Sequence, residues 1–269
     1  MNFLTYLQKL FSSHGIVKKK KIINKILNFK NLNFKFLEDP GIPKLFSNDV
    51  SDNRLRQFYS CFKAAESFSD KIDILLKIRT DLYIDLGKIV NFFMFEHDRK
   101  KKLLKSNFSG IICSKRFYIT KPYWISDFLY VGDKDTLKDF FYSQILFKSE
   151  RFSSSESSSP ERDSVLKFLY YNRNKIKKFN DSKYFPFLPK KLEGSRCVFW
   201  QKEFDLWQFS IRQYFSVLPY QITKSALWKG DSYYKFHKGL VYGYKDFLHA
   251  ENNYIKALKK VSSLSNYTY

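Results

Sequence analysis

The feature of this sequence that most constrains its fold is a series of short apolar runs in its first half. Asp73–Arg79 (DILLKIR) is bounded by polar residues, which predicts a buried central strand. Gly110–Cys113 and Phe128–Val131 are further strand candidates, and Gly132 closes the second of them. A helix is predicted from Asp133 to about Phe147. Because strands that alternate with helices favour a parallel-rich sheet, the sequence predicts an α/β fold.

Helical patterns fill the intervals between these strands. A cap at Asp52 or Asn53 precedes apolar residues at helical spacing, which are Leu55, Phe58, Phe62 and Ala65. The largely apolar segment Leu86–Phe95 is predicted to be a helix that ends at Glu96-His97-Asp98. Upstream of both, an alternating pattern that runs into Asp39-Pro40-Gly41 indicates a strand followed by a turn.

A serine-rich segment separates two parts of different character. Phe152–Ser159 contains SSSESSS, which is typical of a loop or linker. Ser159-Pro160-Glu161 then starts a helix, since it places a cap, a proline and an acid in the favoured order. The remainder is aromatic-rich and predicted to be mostly helical. We therefore expect an amphipathic and basic segment at 1–37, an α/β core at 38–150 and a helical region at 151–269.

The net charge of +22 raises the question of an anionic partner. The basic residues are spread along the chain, at Lys18–Lys21, at Arg99–Lys102, at Lys105 and across Arg173–Lys191. A protein that binds a nucleic-acid groove usually concentrates its charge on one motif. The spread of the basic residues along the chain therefore disfavours nucleic-acid binding.

The N-terminal residues suggest a second anionic partner, the membrane surface. As a helix, this segment would place four apolar side chains on one face, namely Phe3, Leu4, Leu7 and Phe11. With Lys18–Lys21 behind it, the helix could lie on an anionic membrane, or it could simply pack on the domain. The segment lacks the basic start of a signal peptide, and no apolar run approaches the ~20 residues of a membrane span.

The cysteines indicate a reducing compartment. Cys61, Cys113 and Cys197 are odd in number, far apart and outside any CxxC spacing. A disulfide framework or a zinc site is therefore disfavoured, and buried thiols are expected instead. A cytoplasmic protein fits these observations, either free or, through its N-terminal segment, peripheral on the inner membrane.

A possible ligand site begins with Asp81, which follows the apolar run Asp73–Arg79. Ligands of open α/β sheets bind beyond the carboxyl ends of strands, where a carboxylate can hold a hard divalent cation. Asp85 would share its side if the chain turned helical. Asn53 and Arg56 lie three positions apart on one helical face, and a guanidinium pairs well with phosphate. The alternative for Asp81 is an acid that caps a helix or lies in a loop. The alternative for Asn53 and Arg56 is a solvated basic helix face.

A second carboxylate, Asp127, lies among aromatic residues in WISDFLYVG. Such surroundings can raise the pKa of a carboxyl group and make it a general base, although a capping or structural acid is the alternative. The four histidines are isolated in the sequence and are expected to be surface or hydrogen-bonded side chains. They are His14, His97, His237 and His249.

In order along the chain, the segments LEDPG, NRLRQFYSCFKAA, LLKIRTDLYID and ISDFLYVGDKDTLKDFF resemble the WavE-type proteins of lipopolysaccharide synthesis. That family shows Asp-Pro-Gly, an Asn…Arg-Gln helix, Lys-x-Arg-Ser/Thr-Asp, and Ser-Asp followed by Gly. The matching residues are Asp39-Pro40-Gly41, Asn53 with Arg56-Gln57, Lys77–Asp81, and Ser126-Asp127 with Gly132. The resemblance covers about 38–141 of the chain.

The resemblance implies a glycosyltransferase-A-like sheet and transfer of a sugar from a nucleotide-sugar to a lipid-linked or oligosaccharide acceptor. Asn53, Arg56, Gln57, Arg79 and Asp81 would bind the donor. Asp81 would also contact a divalent metal, Mn²⁺ or Mg²⁺, and Asp127 would be the catalytic base. Since no strand ending in glycine precedes the Asp-Pro-Gly turn, the nucleotide-holding unit is expected to be shortened. The alternative function is therefore a truncated, inactive family member or a partner subunit.

Overall fold

The computed structural model describes residues 54–68, 72–78, 85–115, 119, 123–126, 129–148, 160–175, 201–223 and 244–264. The helices of these residues are α1 Arg54–Ser67, α2 Leu86–Leu104, α3 Lys134–Leu146, α4 Pro160–Tyr171, α5 Gln201–Gln213, α6 Tyr220–Thr223, α7 Tyr244–Asn252 and α8 Tyr254–Leu264. The strands are β1 Ile74–Ile78, β2 Ile112–Ser114, β3 Leu129–Asp133 and β4 Phe215–Val217. The N-terminal segment 1–37 and the Asp39-Pro40-Gly41 turn lie outside the described residues, so their predictions stay predictions.

The four described strands form one mixed sheet in the order β1-β3-β2-β4. β3 runs antiparallel to both β1 and β2, and β2 is parallel to β4. An α/β fold is therefore confirmed, but the expectation of a parallel-rich sheet is wrong for these strands, because two of the three pairings are antiparallel. Apolar patterning predicts that a strand exists, whereas its direction depends on the connections and partners that it finds.

The strand predicted to be central, β1, lies at one end of the described strand order. Burial alternates along β1: Leu75 and Lys77 are buried, and Ile74, Leu76 and Ile78 are half-buried. The run DILLKIR is almost continuously apolar because both faces of β1 are covered by helices, and this coverage does not require a central position. The prediction of a strand here is confirmed, and its central place is wrong within the described sheet.

The two faces of the sheet carry separate hydrophobic cores. One face presents Tyr130, Ile112, Phe215 and Val217 to the packed helices α1, α3, α4 and α5. The other face presents Val131, Leu129 and Cys113 to α2. α1 and α3 pack against each other through edge and tilted contacts of Phe58 with Phe140 and Phe141. Helices on both sides of a sheet give the layered arrangement that an α/β sequence predicts.

Helix α2 is longer than its sequence predicts. Asp85 caps it by accepting a hydrogen bond from the Lys88 backbone N–H at 3.1 Å, but the helix passes through Glu96-His97-Asp98 and ends at Leu104. The predicted end is therefore wrong. The polar residues do not stop the helix because Glu96 and Lys100 are fully buried against partners from the C-terminal helices.

The C-terminal region contributes to the same sheet and core. Its strand β4 pairs with β2, and its buried side chains Phe168, Trp207 and Phe247 belong to the core cluster that contains Tyr130. The predicted helix start at Pro160 is confirmed. The strand was not expected in a region predicted to be mostly helical. Among the described helices, none is both long enough and apolar enough to cross a membrane.

Candidate functional site

Three described strands end at the same edge of the sheet. β1, β2 and β4 run in one direction, so their last residues, Ile78, Ser114 and Val217, lie together. β3 runs the other way and begins there at Leu129, which pairs with Ile78. We call these four residues the carboxyl edge. Ligands of open α/β sheets bind beyond such an edge, so it is the first place to look for a site.

The two predicted carboxylates flank this edge in the sequence. Asp81 follows Ile78 by three positions and Asp127 precedes Leu129 by two. Both lie outside the described residues, as do Asn53 and Arg79, so their assigned roles stay predictions. The described neighbours nevertheless form a registered pair, Ile78 with Leu129. Ile78, which precedes Asp81 in the chain, and Leu129, which follows Asp127, are therefore neighbours in the sheet.

Arg56 and Gln57 lie in the first turn of α1 and are half-buried. The last turn of α1 lies at the opposite edge of the sheet, because Lys134, which follows β3, donates a hydrogen bond from Nζ to the Phe68 carbonyl at 3.4 Å. The donor-binding roles of Arg56 and Gln57 stay predictions.

Lys77, the next-to-last residue of β1, is a buried cation close to this edge. Only 8% of its surface is exposed, and its Nζ lies 5.4 Å from the centre of the Tyr130 ring on β3. Its charge also acts on Cys61 of α1. Burial raises the pKa of the Cys61 thiol to about 11, and the positive charge of Lys77 opposes that rise. The ammonium group of Lys77 therefore lies beside the Tyr130 ring of β3, on the face of the sheet that α1 covers.

The residue that precedes Asp127 is fixed to the sheet. Ser126 is buried, and its carbonyl accepts a hydrogen bond from Oγ of Ser114 at 2.9 Å. Nearby, the buried Tyr123 adopts a φ of 63°, a left-handed conformation that is strained for a bulky residue. The Arg162 guanidinium of α4 lies 5.6 Å from the Tyr123 ring. The C-terminal region therefore packs against the segment that leads to Asp127.

The opposite edge of the sheet holds a histidine–aspartate pair. Asp133 accepts a hydrogen bond from the Ile111 backbone N–H at 2.6 Å, and its other oxygen lies 3.2 Å from His97 Nε2. Burial raises the pKa of Asp133. The prediction that His97 is a hydrogen-bonded side chain agrees with this contact. His249 is exposed, and the remaining two histidines lie outside the described residues.

A buried ionic cluster joins α2 to α7. It consists of Glu96, Arg99, Lys100 and Glu251, which are two acids and two bases, and only Arg99 is notably exposed, at 26%. Arg99 bridges the two carboxylates with four N–O contacts of 2.7–3.0 Å. Lys100 donates to Glu251 and to the backbone carbonyls of Ile211 and Arg212.

The surroundings of Glu96 keep its carboxylate ionised, whereas burial lowers the pKa of Lys100. Burial alone would raise the pKa of Glu96, but hydrogen bonds from Arg99 and Tyr244, with the charges of Arg99 and Lys100, hold that pKa below its usual value. Ser216 on β4 donates a further hydrogen bond to Glu96 at 2.8 Å. Because each charged group is satisfied inside the protein, we assign the cluster a structural role, which is to hold α7 against α2.

The sequence analysis missed the ionic cluster. The cluster had no local signal, since Glu96 and Glu251 are far apart in the chain.

No family model, curated protein or solved structure matches this chain. Its function is therefore inferred from its own residues and geometry. Within the described ranges there is no group of three or more His, Cys, Asp or Glu side chains that could hold a metal ion. The expected metal ligand, Asp81, lies outside those ranges, so the metal stays a prediction.

Proposed function

We propose that this chain is a glycosyltransferase-like protein of lipopolysaccharide or surface-polysaccharide synthesis, with its reaction site at the carboxyl edge. The observation that carries the proposal is the pairing of Ile78 with Leu129. It connects the segment that leads into Asp81 with the segment that follows Asp127. The glycosyltransferase-A-like character of the sheet is part of the same proposal.

Chain length limits how far the two carboxylates can lie from this pair. Consecutive residues span at most about 3.6 Å each, so the Asp81 α-carbon lies within about 11 Å of Ile78 and the Asp127 α-carbon within about 7 Å of Leu129. The paired α-carbons are themselves about 5 Å apart. Under this proposal, both carboxylates contact one bound sugar donor and its acceptor.

The residues would divide the reaction between them. Arg56, Gln57, Arg79 and Asn53 would hold the nucleotide-sugar, and Asp81 would bind Mn²⁺ or Mg²⁺, which neutralises the donor diphosphate. An acceptor hydroxyl would attack the anomeric carbon as the bond from that carbon to the diphosphate oxygen breaks. Asp127 would take the hydroxyl proton, because a hydroxyl is a poor nucleophile until its proton leaves.

The acceptor in this proposal is a lipid-linked sugar or an oligosaccharide at the inner leaflet. The basic N-terminal segment would attach the protein peripherally, since each basic residue contributes about 1 kcal/mol near anionic lipid. Asp81 and Asp127 then work on a substrate delivered from the membrane surface.

Activity measurements on the full chain test the proposal. A panel of UDP- and GDP-sugars is supplied with Mn²⁺ and inner-membrane lipid extract, and release of the nucleoside diphosphate is followed. Lipid-dependent release by the wild type, abolished in a folded Asp81→Asn variant, supports the transferase function. Equal release by both proteins counts against the transferase function. No release with any donor also counts against it and favours an inactive family member.

A further inference from the structure

Helix α2 has one exposed side, which we call the outward face. Its members are Lys88, Met94, Phe95, Asp98, Lys101 and Lys102. We propose that the outward face binds an anionic phospholipid bilayer. In this arrangement Met94 and Phe95 enter the interfacial layer of the bilayer, and the lysines contact lipid phosphates. The surface is separate from the N-terminal segment, and the inference does not depend on the transferase function proposed above.

The opposite side of α2 is engaged in the protein core. Its buried residues Ile89 and Phe93 belong to the hydrophobic cluster that contains Val131 of the sheet. The outward face therefore points away from the sheet and into solvent. Because nineteen helical residues span about 28 Å, this face is long enough to lie along a surface.

Two apolar side chains project from the outward face. Phe95 is 59% exposed, the largest value among the exposed large hydrophobic residues of the described ranges, and Met94 is also exposed. Phe92 lies beside Phe95 with ring centres 6.2 Å apart, and Phe92 packs edge-on against Tyr244 of α7 at 5.0 Å. The Phe95 ring therefore has the protein on one side and water on the other. An aromatic ring in this position can enter the boundary between headgroups and acyl chains.

Positive charge accompanies these apolar side chains. Each of them is followed seven residues later by an exposed lysine, Lys101 or Lys102, and seven residues are two turns of one helical face. Lys105, directly after the helix, is exposed as well. Asp98 is an exposed acid between the apolar residues and the lysines, so three positive charges stand against one negative charge at this end of α2.

Charge complementarity favours a bilayer over other partners. At the first turn of α2, Lys88 and Asp85 neutralise each other in an ion pair at 3.1 Å, so the excess charge lies toward the end of the helix. A second copy of this face would bring lysines against lysines on chains with a net charge of +22. Duplex nucleic acid would attract the lysines but would leave Phe95 in water. An anionic bilayer accommodates both, because its headgroups attract the lysines and its interface takes the apolar side chains.

Vesicle binding by the full-length protein tests the inference. Phe95→Ser removes the exposed ring, and Lys101→Gln combined with Lys102→Gln removes two charges. The matched controls are Leu146→Ser on α3, where Leu146 is 48% exposed, and a double glutamine variant of two exposed lysines on α8, Lys256 and Lys259. Co-flotation is measured with vesicles of phosphatidylcholine alone and of phosphatidylcholine mixed with phosphatidylglycerol, at low and high salt. Thermal unfolding is measured in parallel.

The wild type should bind the vesicles that contain phosphatidylglycerol, and high salt should weaken this binding. The Lys101/Lys102 variant should partition about 30-fold more weakly, since each basic residue near anionic lipid contributes about fivefold. Phe95→Ser should partition about tenfold more weakly, because it loses most of the apolar area that enters the interface. Both controls should bind within about twofold of the wild type. If Phe95→Ser lowers the thermal midpoint, Phe95→Trp must retain vesicle binding for the inference to stand.

Four results would overturn the inference. The first is a wild type that does not bind phosphatidylglycerol vesicles, and the second is equal binding by the wild type and the outward-face variants. Equal losses in the two double-lysine variants would show only a general effect of net charge. A wild-type oligomer that Phe95→Ser converts to a monomer in sedimentation velocity, with unchanged vesicle binding, would assign the face to a second copy of the chain. Nucleotide binding is measured separately, so none of these results decides the transferase function.

Discussion

Replacement of Glu251 by glutamine should severely destabilise the protein. Glu251 is 2% exposed and lies against Lys100, which is fully buried, and Arg99. The Glu251→Gln side chain has the same shape, so no cavity forms, but Lys100 and Arg99 then share the single carboxylate of Glu96. Removing one partner from a buried ion pair costs about 3–5 kcal/mol, because it leaves an uncompensated buried charge.

Urea and thermal unfolding measure this loss. For a chain of this size, each kcal/mol shifts the thermal midpoint by about 2–4 °C, so Glu251→Gln should unfold about 6–20 °C below the wild type. Lys100→Met combined with Glu251→Leu removes both charges and should recover most of the loss in a double-mutant cycle. A Glu251→Gln protein whose free energy of unfolding stays within about 0.5 kcal/mol of the wild type would refute the structural role of the cluster.

Three further predictions concern the two sheet edges and the ionic cluster. Gly110→Ala should lower the free energy of unfolding by at least about 2 kcal/mol, since Gly110 has a φ of +113° and a Cβ there would lie 2.2 Å from Thr136 Oγ1; urea denaturation with unchanged stability would contradict this. The folded pKa of Glu96 is lowered, so its contribution to stability is present above its ordinary pKa of 4.5 and is lost as the pH falls through the lower folded value. Stability measured against pH should therefore fall on the acid side in the wild type, and Glu96→Gln should flatten that limb; identical acid limbs would show that Glu96 is not the group responsible. Asp127→Asn should reduce turnover far more than donor affinity, and an equal loss of donor binding in calorimetry would make Asp127 a donor-site or structural residue.

Local patterns predicted the elements whose ends are fixed by their own residues. α3 begins directly after Gly132-Asp133, close to its predicted start, and α4 begins at Pro160. The apolar positions of α1 recur at helical spacing, and all four of them, Leu55, Phe58, Phe62 and Ala65, are buried. In these cases the caps and the periodicity lie within the element, so the sequence contains the information that is needed.

Other elements depend on partners that are distant in the chain. α2 continues past Glu96 because Tyr244 and Ser216, more than a hundred residues away, satisfy the buried carboxylate. β4 has only three residues inside an aromatic region, and its pairing with β2 gives it the strand conformation. Likewise, the apolar pattern of β1 along the sequence predicts which of its residues share a face of the sheet. It does not predict which strand pairs with β1.

The candidate site divides in the same way. The motif order suggested Asp81 and Asp127 as members of one site, and the pairing of Ile78 with Leu129 is consistent with that suggestion. The position of Lys77 beside the Tyr130 ring had no local signal, because that contact joins two strands that are far apart in the chain.

Calorimetric titration of the wild type and Asp81→Asn with UDP and GDP, each with and without Mn²⁺, tests the central proposal most directly. The wild type should bind at least one nucleoside diphosphate, and Mn²⁺ should tighten that binding by about tenfold or more, equivalent to about 1.4 kcal/mol. Asp81→Asn should remain folded and lose the effect of Mn²⁺. Wild-type protein that binds neither nucleotide under any of these conditions would contradict a nucleotide-sugar site at the carboxyl edge.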